Sequence, residues 1–411
     1  MSSPSVNLAT MRRVDARVGT PLCFALTGVR RLFGRRGAPD GPPRRILVLK
    51  LAEQGATVAA HRALERAVEL VGVDNVYVAV FAENRFVLDE LRIIPPEQVL
   101  AVRTGSPGLL VRDLLRLLAR TRRLRIDSVV DLEFFSRVTA ILAYLSGARR
   151  RAGLHGFAGE GPYRGDLLTH RVSANPLQHV SHTFLALVEA LVQPVDRLPA
   201  LDAGPWERSD PPQIVPTSEE RARVSALVTE ALDAPTLPRI ILLNPNTGDL
   251  VPLRRWPVER YVALAHRLLD EHPDAAIVLT GAPAEADDAA AVAARIDSPR
   301  CVSLAGRTTM RELLVLYGLS EVLVTNDSGP AHYAGLTSVD VVALFGPETP
   351  AVFGPLGPRS HALWAGIACS PCVNAYNNRL SPCRDNVCMQ RIATDEVHEV
   401  VVDLLAERPT R

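Results

Sequence analysis

The chain of 411 residues contains no apolar run long enough to span a bilayer, so no transmembrane helix is expected. Its one early apolar segment, Pro21 to Val29, is short and lacks a small-residue cleavage site, which argues against a secretory leader. An excess of charge of one sign is missing as well. With 46 Lys and Arg against 45 Asp and Glu, the net charge is +1, and no whole-chain electrostatic argument favours nucleic acid as a partner. No short repeat is visible. These absences point to a cytoplasmic globular protein, and the length calls for two domains.

What is present is unevenly placed. Arg12, Arg13, Arg17, Arg30, Arg31, Arg35, Arg36, Arg44 and Arg45 crowd the start of the chain, and a second basic cluster runs from Arg112 to Arg125. Such clusters form solvated faces, and they also suit an anionic membrane surface or an acidic acceptor. The segment from Pro21 to Phe33 reads either as a helix packed on the protein's own surface or as a basic amphipathic helix at the cytoplasmic face of the inner membrane. Four of the six cysteines are bunched as Cys369, Cys372, Cys383 and Cys388. A Cys-x2-Cys pair followed by a second pair resembles a zinc site, although the second spacing is four residues. The competing reading is a loop of buried, reduced thiols, because a reducing cytosol disfavours disulfides.

Residues 1–43 end in glycines and prolines and read as a basic arm and linker. Apolar strands then alternate with helices. Strands are expected at Arg45–Leu51, Val76–Phe81 and Ile126–Leu132. The expected helices are Val58–Val71, Arg85–Leu91, Leu109–Leu124 and Ser136–Leu145, with a glycine turn at Gln54–Thr57 after the first strand. A long loop is expected within Gly153–Pro216, carrying a helix at Val180–Leu191 and a proline-rich linker from Pro194. The alternation restarts with strands at Ile240–Asn244, Ala275–Thr280, Cys301–Leu304 and Val322–Thr325, and a last strand at Val339–Phe345. Helices at Pro257–Glu271, Glu285–Ile296 and Met310–Leu319 lie between them. This alternation predicts an α/β architecture of two Rossmann-like domains, 44–200 and 217–405, each a parallel sheet covered on both faces, with strand ends facing a shared cleft.

Parallel sheets bind ligands beyond the carboxyl ends of their strands, and the polar residues of the second half fall there. Asn244, Asn246, Thr247 and Gly248 follow one strand, and Arg254-Arg255-Trp256-Pro257 follow soon after. A hydroxyl and a guanidinium suit a diphosphate. Glu285, in Gly281-Ala282-Pro283-Ala284-Glu285, suits a ribose diol or simply a helix N-terminus. The run Asn326-Asp327-Ser328-Gly329-Pro330-Ala331-His332 ends the next strand. It offers a cap, close backbone approach and free N–H groups to an anion. Phe345-Gly346-Pro347-Glu348-Thr349-Pro350 is the fourth loop.

As a set, these motifs resemble glycosyltransferase family 9, the ADP-heptose lipopolysaccharide heptosyltransferases and their relatives. The resemblance is carried by Asn326 to His332, by Leu344-Phe345-Gly346-Pro347 with Thr349-Pro350, by Arg254 to Pro257 and by Gly281 to Glu285. Ile46 to Lys50 with Gly55, and Cys369-Ser370-Pro371-Cys372 with Cys388-Met389, extend it over roughly residues 44 to 405. It implies a GT-B fold and an inverting, metal-independent transfer with no cofactor. The expected partners are a nucleotide-sugar donor, with an ADP-sugar favoured, and a glycan or glycolipid acceptor such as lipopolysaccharide. By matching position, Thr247 and Arg254 would hold phosphates and Glu285 the ribose. Asp327, Ser328, Gly329 and His332 would surround the diphosphate and donor sugar.

One departure bears on catalysis. The family pattern has an aspartate directly after the first-turn glycine, as the expected base, and this chain has Ala56. Glu53 is the nearest substitute, and Asp131 and Glu133 come next. A non-catalytic nucleotide-sugar-binding homologue and a two-domain sugar-nucleotide epimerase are the rival readings.

Overall fold

The computed structural model describes residues 13–33, 41–157, 161–202, 204–205, 207–248, 251–374 and 379–407. Arg12, Arg35 and Arg36 of the basic arm lie outside them. The chain divides into two units, Met1–Glu207 with Asn374–Arg379, and Arg208–Val373 with Leu380–Arg411.

The first unit holds six parallel strands: β1 (Ile46–Leu49), β2 (Val76–Phe81), β3 (Val99–Val102), β4 (Ser128–Asp131), β5 (Arg150–Leu154) and β6 (His170–Val172). Their order is β3-β2-β1-β4-β5-β6. The second unit repeats the plan with β7 (Arg239–Asn244), β8 (Ala275–Leu279), β9 (Cys301–Ser303), β10 (Val322–Asn326), β11 (Asp340–Phe345) and β12 (Ser360–Trp364), in the order β12-β11-β10-β7-β8-β9. Each order reverses between two central strands, β1 and β4 in one sheet and β7 and β10 in the other. That reversal opens a crevice at the strands' carboxyl ends.

The central strands are continuous apolar runs because helices cover both faces of each sheet. Ile46-Leu47-Val48-Leu49 is fully buried, as is Val322-Leu323-Val324. In the second unit, Trp256 and Tyr261 pack edge to face, with ring centroids 4.9 Å apart, in a core shared with Ile241, Leu243, Val324 and Val342. This anchors the start of the helix Val258–Glu271 against β7 and β10.

Several expectations are corrected. The strand at residues 340–345 is not the last, since β12 adds an edge strand beyond it. The serine, histidine and exposed tryptophan of β12 mask its strand character. The segment expected as a long loop contains β6 and follows the unforeseen strand β5. The two arginines of β5 look like loop residues, yet Arg151 is buried and its Nε donates to the carbonyl of Leu167 at 2.6 Å. The expected turn at Gln54–Thr57 is instead the short helix Gln54–Ala59. The turn falls earlier, and the left-handed backbone is adopted by Glu53 at φ 66° rather than by Gly55. For a residue with a Cβ this costs about 1 kcal/mol or more.

His170 of β6 is 2% exposed and lies beside Arg150 and Arg151 of β5. Burial first, then the two guanidiniums, push its imidazole down from 6.5 to about 4. The folded protein therefore binds fewer protons here than the unfolded chain between those values, and stability falls as the pH drops through that window. Urea midpoints measured from pH 7 to pH 4.5 are expected to fall, with about 2 kcal/mol of the loss absent in His170→Asn. An unchanged slope in that variant would refute the assignment.

Candidate donor and acceptor sites

In the second unit the loops after β7 and β10 meet around one carboxamide. Asn326 is fully buried, and its Nδ2 donates to the carbonyls of Pro245 at 2.9 Å and Asn246 at 3.3 Å. Its Oδ1 accepts from the backbone N–H of Trp256 at 3.0 Å. The end of β10 is thus stapled to both the β7 loop and the Arg-Arg-Trp-Pro segment. Trp256 is fixed from the other side by its indole N–H, 2.9 Å from the carbonyl of Ile392.

Arg254 is thereby placed between two carboxylates. Its Nε lies 3.1 Å from Asp327 Oδ2, its Nη1 donates to the Asp327 carbonyl at 3.2 Å, and its Nη2 donates to Glu348 Oε2 at 2.5 Å. Asp327 is 2% and Glu348 1% exposed. Glu348 is the partner sequence reasoning missed, although it lies in the loop that begins where β11 ends at Phe345 and so obeys the same strand-end rule. Next to this group, Arg255 is exposed and forms no ion pair among the described residues. Asn246 carries a buried Nδ2 with no hydrogen-bond partner among those residues, an unmet donor at the end of β7.

Glu285 bridges two loops. Its Oε1 accepts from the Gly248 N–H at 3.2 Å and its Oε2 from the Ala282 N–H at 2.8 Å. Thr247, half-buried, donates to the carbonyl of Gly248 at 3.2 Å. Ser328 precedes a helix of only six residues, Gly329–Ala334, in which Pro330 lacks an N–H. The Ser328 hydroxyl donates back to the Asn326 carbonyl at 3.2 Å. The anion-binding capacity expected of this helix start is accordingly small, and guanidiniums and side-chain donors must supply the rest. Gly329 is required sterically, since a Cβ there would strike the buried Tyr333 ring. His332 is half-buried in the same turn.

In the first unit the candidate bases differ sharply. Asp131 is fully buried, paired with Arg164, bonded by Thr139 at 2.8 Å and by the Glu133 N–H at 3.1 Å. It faces no ligand space. Glu53 is held by both nitrogens of the Arg379 fork, one at 2.9 Å. Glu133 accepts from Lys50 Nζ at 3.1 Å and from the Ala52 N–H at 2.9 Å, both through Oε1. Its Oε2 accepts no hydrogen bond among the described residues. Lys50 is the only lysine of the chain and is 2% exposed.

The late cysteines line one cavity of about 280 Å³ together with Leu253, Pro347 and Asn386. Cys372 Sγ accepts from Ser381 at 3.3 Å, Cys383 Sγ donates to the Asp385 carbonyl at 3.0 Å, and burial pushes the Cys388 thiol up. Cys369 is exposed. No group of three or more His, Cys, Asp or Glu among the described residues is arranged to hold a metal ion.

Two doubly wound parallel units in one chain define the GT-B fold of glycosyltransferases. The structure is similar to ADP-heptose lipopolysaccharide heptosyltransferase II of Escherichia coli, with a TM-score of 0.63 at 20% identity over 88% of this chain and 99% of that one. It is also similar to a family 9 glycosyl transferase of Veillonella parvula, with a TM-score of 0.67 at 19% identity over 90% and 99%. Residues 116–381 match the profile of glycosyltransferase family 9 (heptosyltransferase), and the chain belongs to that family. Among curated relatives, lipopolysaccharide heptosyltransferase 2 of Escherichia coli is 31% identical over 119 residues, 28% of this chain and 34% of the relative. Lipooligosaccharide heptosyltransferase 2 of Haemophilus influenzae is 28% identical over 214 residues, 50% of this chain and 57% of the relative. The match thus spans between a third and three-fifths of these relatives' lengths.

Removing the Arg254 guanidinium takes a charge partner away from two buried carboxylates. Arg254→Leu is expected to destabilise the second unit by about 3–5 kcal/mol in urea unfolding, and adding Glu348→Leu should recover part of that loss. A single variant as stable as the wild type would show that the three side chains do not act as a buried cluster.

Proposed function

We propose that this protein is a glycosyltransferase that moves a sugar from a nucleotide diphosphate to a hydroxyl of a cell-envelope glycan or glycolipid. The observation that carries this reading is the Asp327–Arg254–Glu348 cluster at the strand-order reversal of the second sheet, in a family 9 chain. ADP-heptose as donor and lipopolysaccharide as acceptor are the favoured substrates, because relatives bearing those names share the family and the fold. The proposed station is the cytoplasmic face of the membrane. No helix among the described residues is long and apolar enough to cross one.

In this reading the acceptor oxygen attacks the anomeric carbon from the side opposite the diphosphate. The carbon–oxygen bond to the diphosphate breaks, the nucleoside diphosphate leaves with the electron pair, and the configuration inverts. Arg254 is charge-compensated by its two carboxylates, so its role is to hold the loop rigid and offer its remaining N–H to one phosphate oxygen. The uncompensated Arg255 guanidinium and the unmet Asn246 donor take the charge that builds on the departing group, with no metal required. Asp327 receives sugar hydroxyls, since it would repel phosphate. Glu285 exchanges its two backbone partners for the ribose diol, and Thr247, Ser328, Gly329 and His332 complete the donor contacts. The acceptor's proton goes to Glu133 Oε2, with Lys50 fixing the other oxygen. Glu53, gripped by Arg379, is the weaker candidate.

Ala56 in place of an aspartate supports a second reading, a nucleotide-sugar-binding homologue without turnover. ADP release from ADP-heptose, with and without a lipopolysaccharide-core acceptor, separates the two. Acceptor-dependent ADP release is expected, falling on the order of a hundredfold or more in Glu133→Gln. Arg255→Gln should weaken ADP binding about tenfold in calorimetry. ADP binding with no release under any acceptor would select the second reading, and donor consumption without acceptor would favour an epimerase or a hydrolase.

A further inference from the structure

The nineteen residues Asp15–Phe33 form one helical segment, a short π-helical turn running into the α-helix Thr20–Phe33. Its inner face is locked to the first unit. Gly19 sits so close to Arg137 that a Cβ would lie 2.7 Å from that side chain's Cβ. Cys23 and Leu26 pack with Ala140, Ile141, Tyr144 and Leu167. Asp15 accepts from the N–H groups of Arg137 and Val138, both at 2.9 Å, and Arg30 pairs with Asp166 at 2.5 Å.

The outer face is apolar too. Val14, Val18, Leu22, Val29 and Leu32 recur at spacings of four, four, seven and three, which a helix turns into one stripe, and they are 51%, 49%, 46%, 46% and 79% exposed. Phe24 and Phe33 flank it at 72% and 83%. An ordinary surface helix would carry polar residues here. The charges that border the stripe are Arg13, Arg17 and Arg31, whereas the one acidic side chain of the segment, Asp15, is turned inward onto Arg137. The cavity of about 480 Å³ beneath the helix is lined by Arg31, Arg164, Arg171 and His155, and Asp166, its one carboxylate among the described residues, lies 3.8 Å from Arg31 and 3.7 Å from Arg171.

We propose that this segment is an interfacial helix that seats the first unit on an anionic lipid bilayer, its apolar stripe in the acyl boundary and its arginines on lipid phosphates. The inference deepens the membrane-face station proposed above and rests on it. The chemistry of the face decides the occupant. A stripe about 30 Å long and about 10 Å wide buries on the order of 300 Å² per partner, well short of the roughly 800 Å² that a stable dimer needs. An apolar stripe whose bordering charges among the described residues are Arg13, Arg17 and Arg31 matches a bilayer rich in anionic headgroups. Because the inner face is fixed by packing and ion pairs, the stripe is presented as a rigid element and needs no folding on contact.

The test is co-sedimentation of the full chain with vesicles of phosphatidylcholine alone or mixed with phosphatidylglycerol. Binding is expected with phosphatidylglycerol, lost in Val18→Asp/Val29→Asp, and weakened about thirtyfold in Arg17→Gln/Arg31→Gln. Circular dichroism and ADP binding should be unchanged in both variants. Absence of vesicle binding, binding indifferent to phosphatidylglycerol, or variants that bind like the wild type would overturn the proposal. So would a dimer in sedimentation equilibrium that Val18→Asp/Val29→Asp dissociates without any vesicle binding, which would assign the stripe to a second copy. Turnover that persists without vesicle binding removes this inference alone, while vesicle binding without turnover removes the transferase reading alone.

Discussion

The candidate donor site depends on how the end of β10 is tied down. The Asn326 carboxamide satisfies two carbonyls of the β7 loop and one N–H of the Trp256 segment, so a single buried side chain fixes three chain segments at once. Every one of those bonds is buried, where an unmet partner would cost about 1–3 kcal/mol. The arrangement is therefore all or nothing. Arg254 falls between Asp327 and Glu348 only because Trp256, two residues on, is held at both its backbone and its indole nitrogen.

That constraint has an electrostatic consequence. The Arg254 guanidinium is already engaged by two carboxylates, so it cannot by itself serve as a diphosphate clamp. Its rigidity is what it offers, and attraction for the donor has to come from groups still uncommitted, Arg255 and Asn246. A parallel division holds in the first unit, where Lys50 and the Ala52 N–H occupy one oxygen of Glu133, Arg379 grips Glu53, and Asp131 is spent on Arg164. Of three carboxylates that look alike in the chain, one keeps an oxygen for chemistry.

The N-terminal helix shows the same economy at a surface. Its inward residues are small or paired, Gly19, Cys23, Thr27 and Arg30, and they lie flat on the unit. Its outward residues are large and apolar. Periodicity alone reads such a segment as amphipathic, with one wet face. The packed structure makes it apolar on two faces, because Asp15 is drawn inside by Arg137 and Arg30 by Asp166.

The sequence by itself determined the alternation of apolar runs and helices, and hence two parallel sheets. It also determined the family, through Asn326 to His332, Arg254 to Pro257 and Gly281 to Glu285. These are legible because a buried parallel strand is a continuous apolar run and because ligand loops begin where the run stops. The four-residue strand β3, Val99–Val102, was not foreseen, and the strands β5, β6 and β12 were not legible. Their arginines, histidines and edge exposure violate that pattern, and only neighbouring carbonyls and strands make them regular. Likewise, the chain presents Arg254, Glu53 and Asp131 as available charges. Only the tertiary structure, by pairing them with Glu348, Arg379 and Arg164, decides that they are already spoken for, since partnership between residues far apart in sequence is set by where the sheets bring their ends.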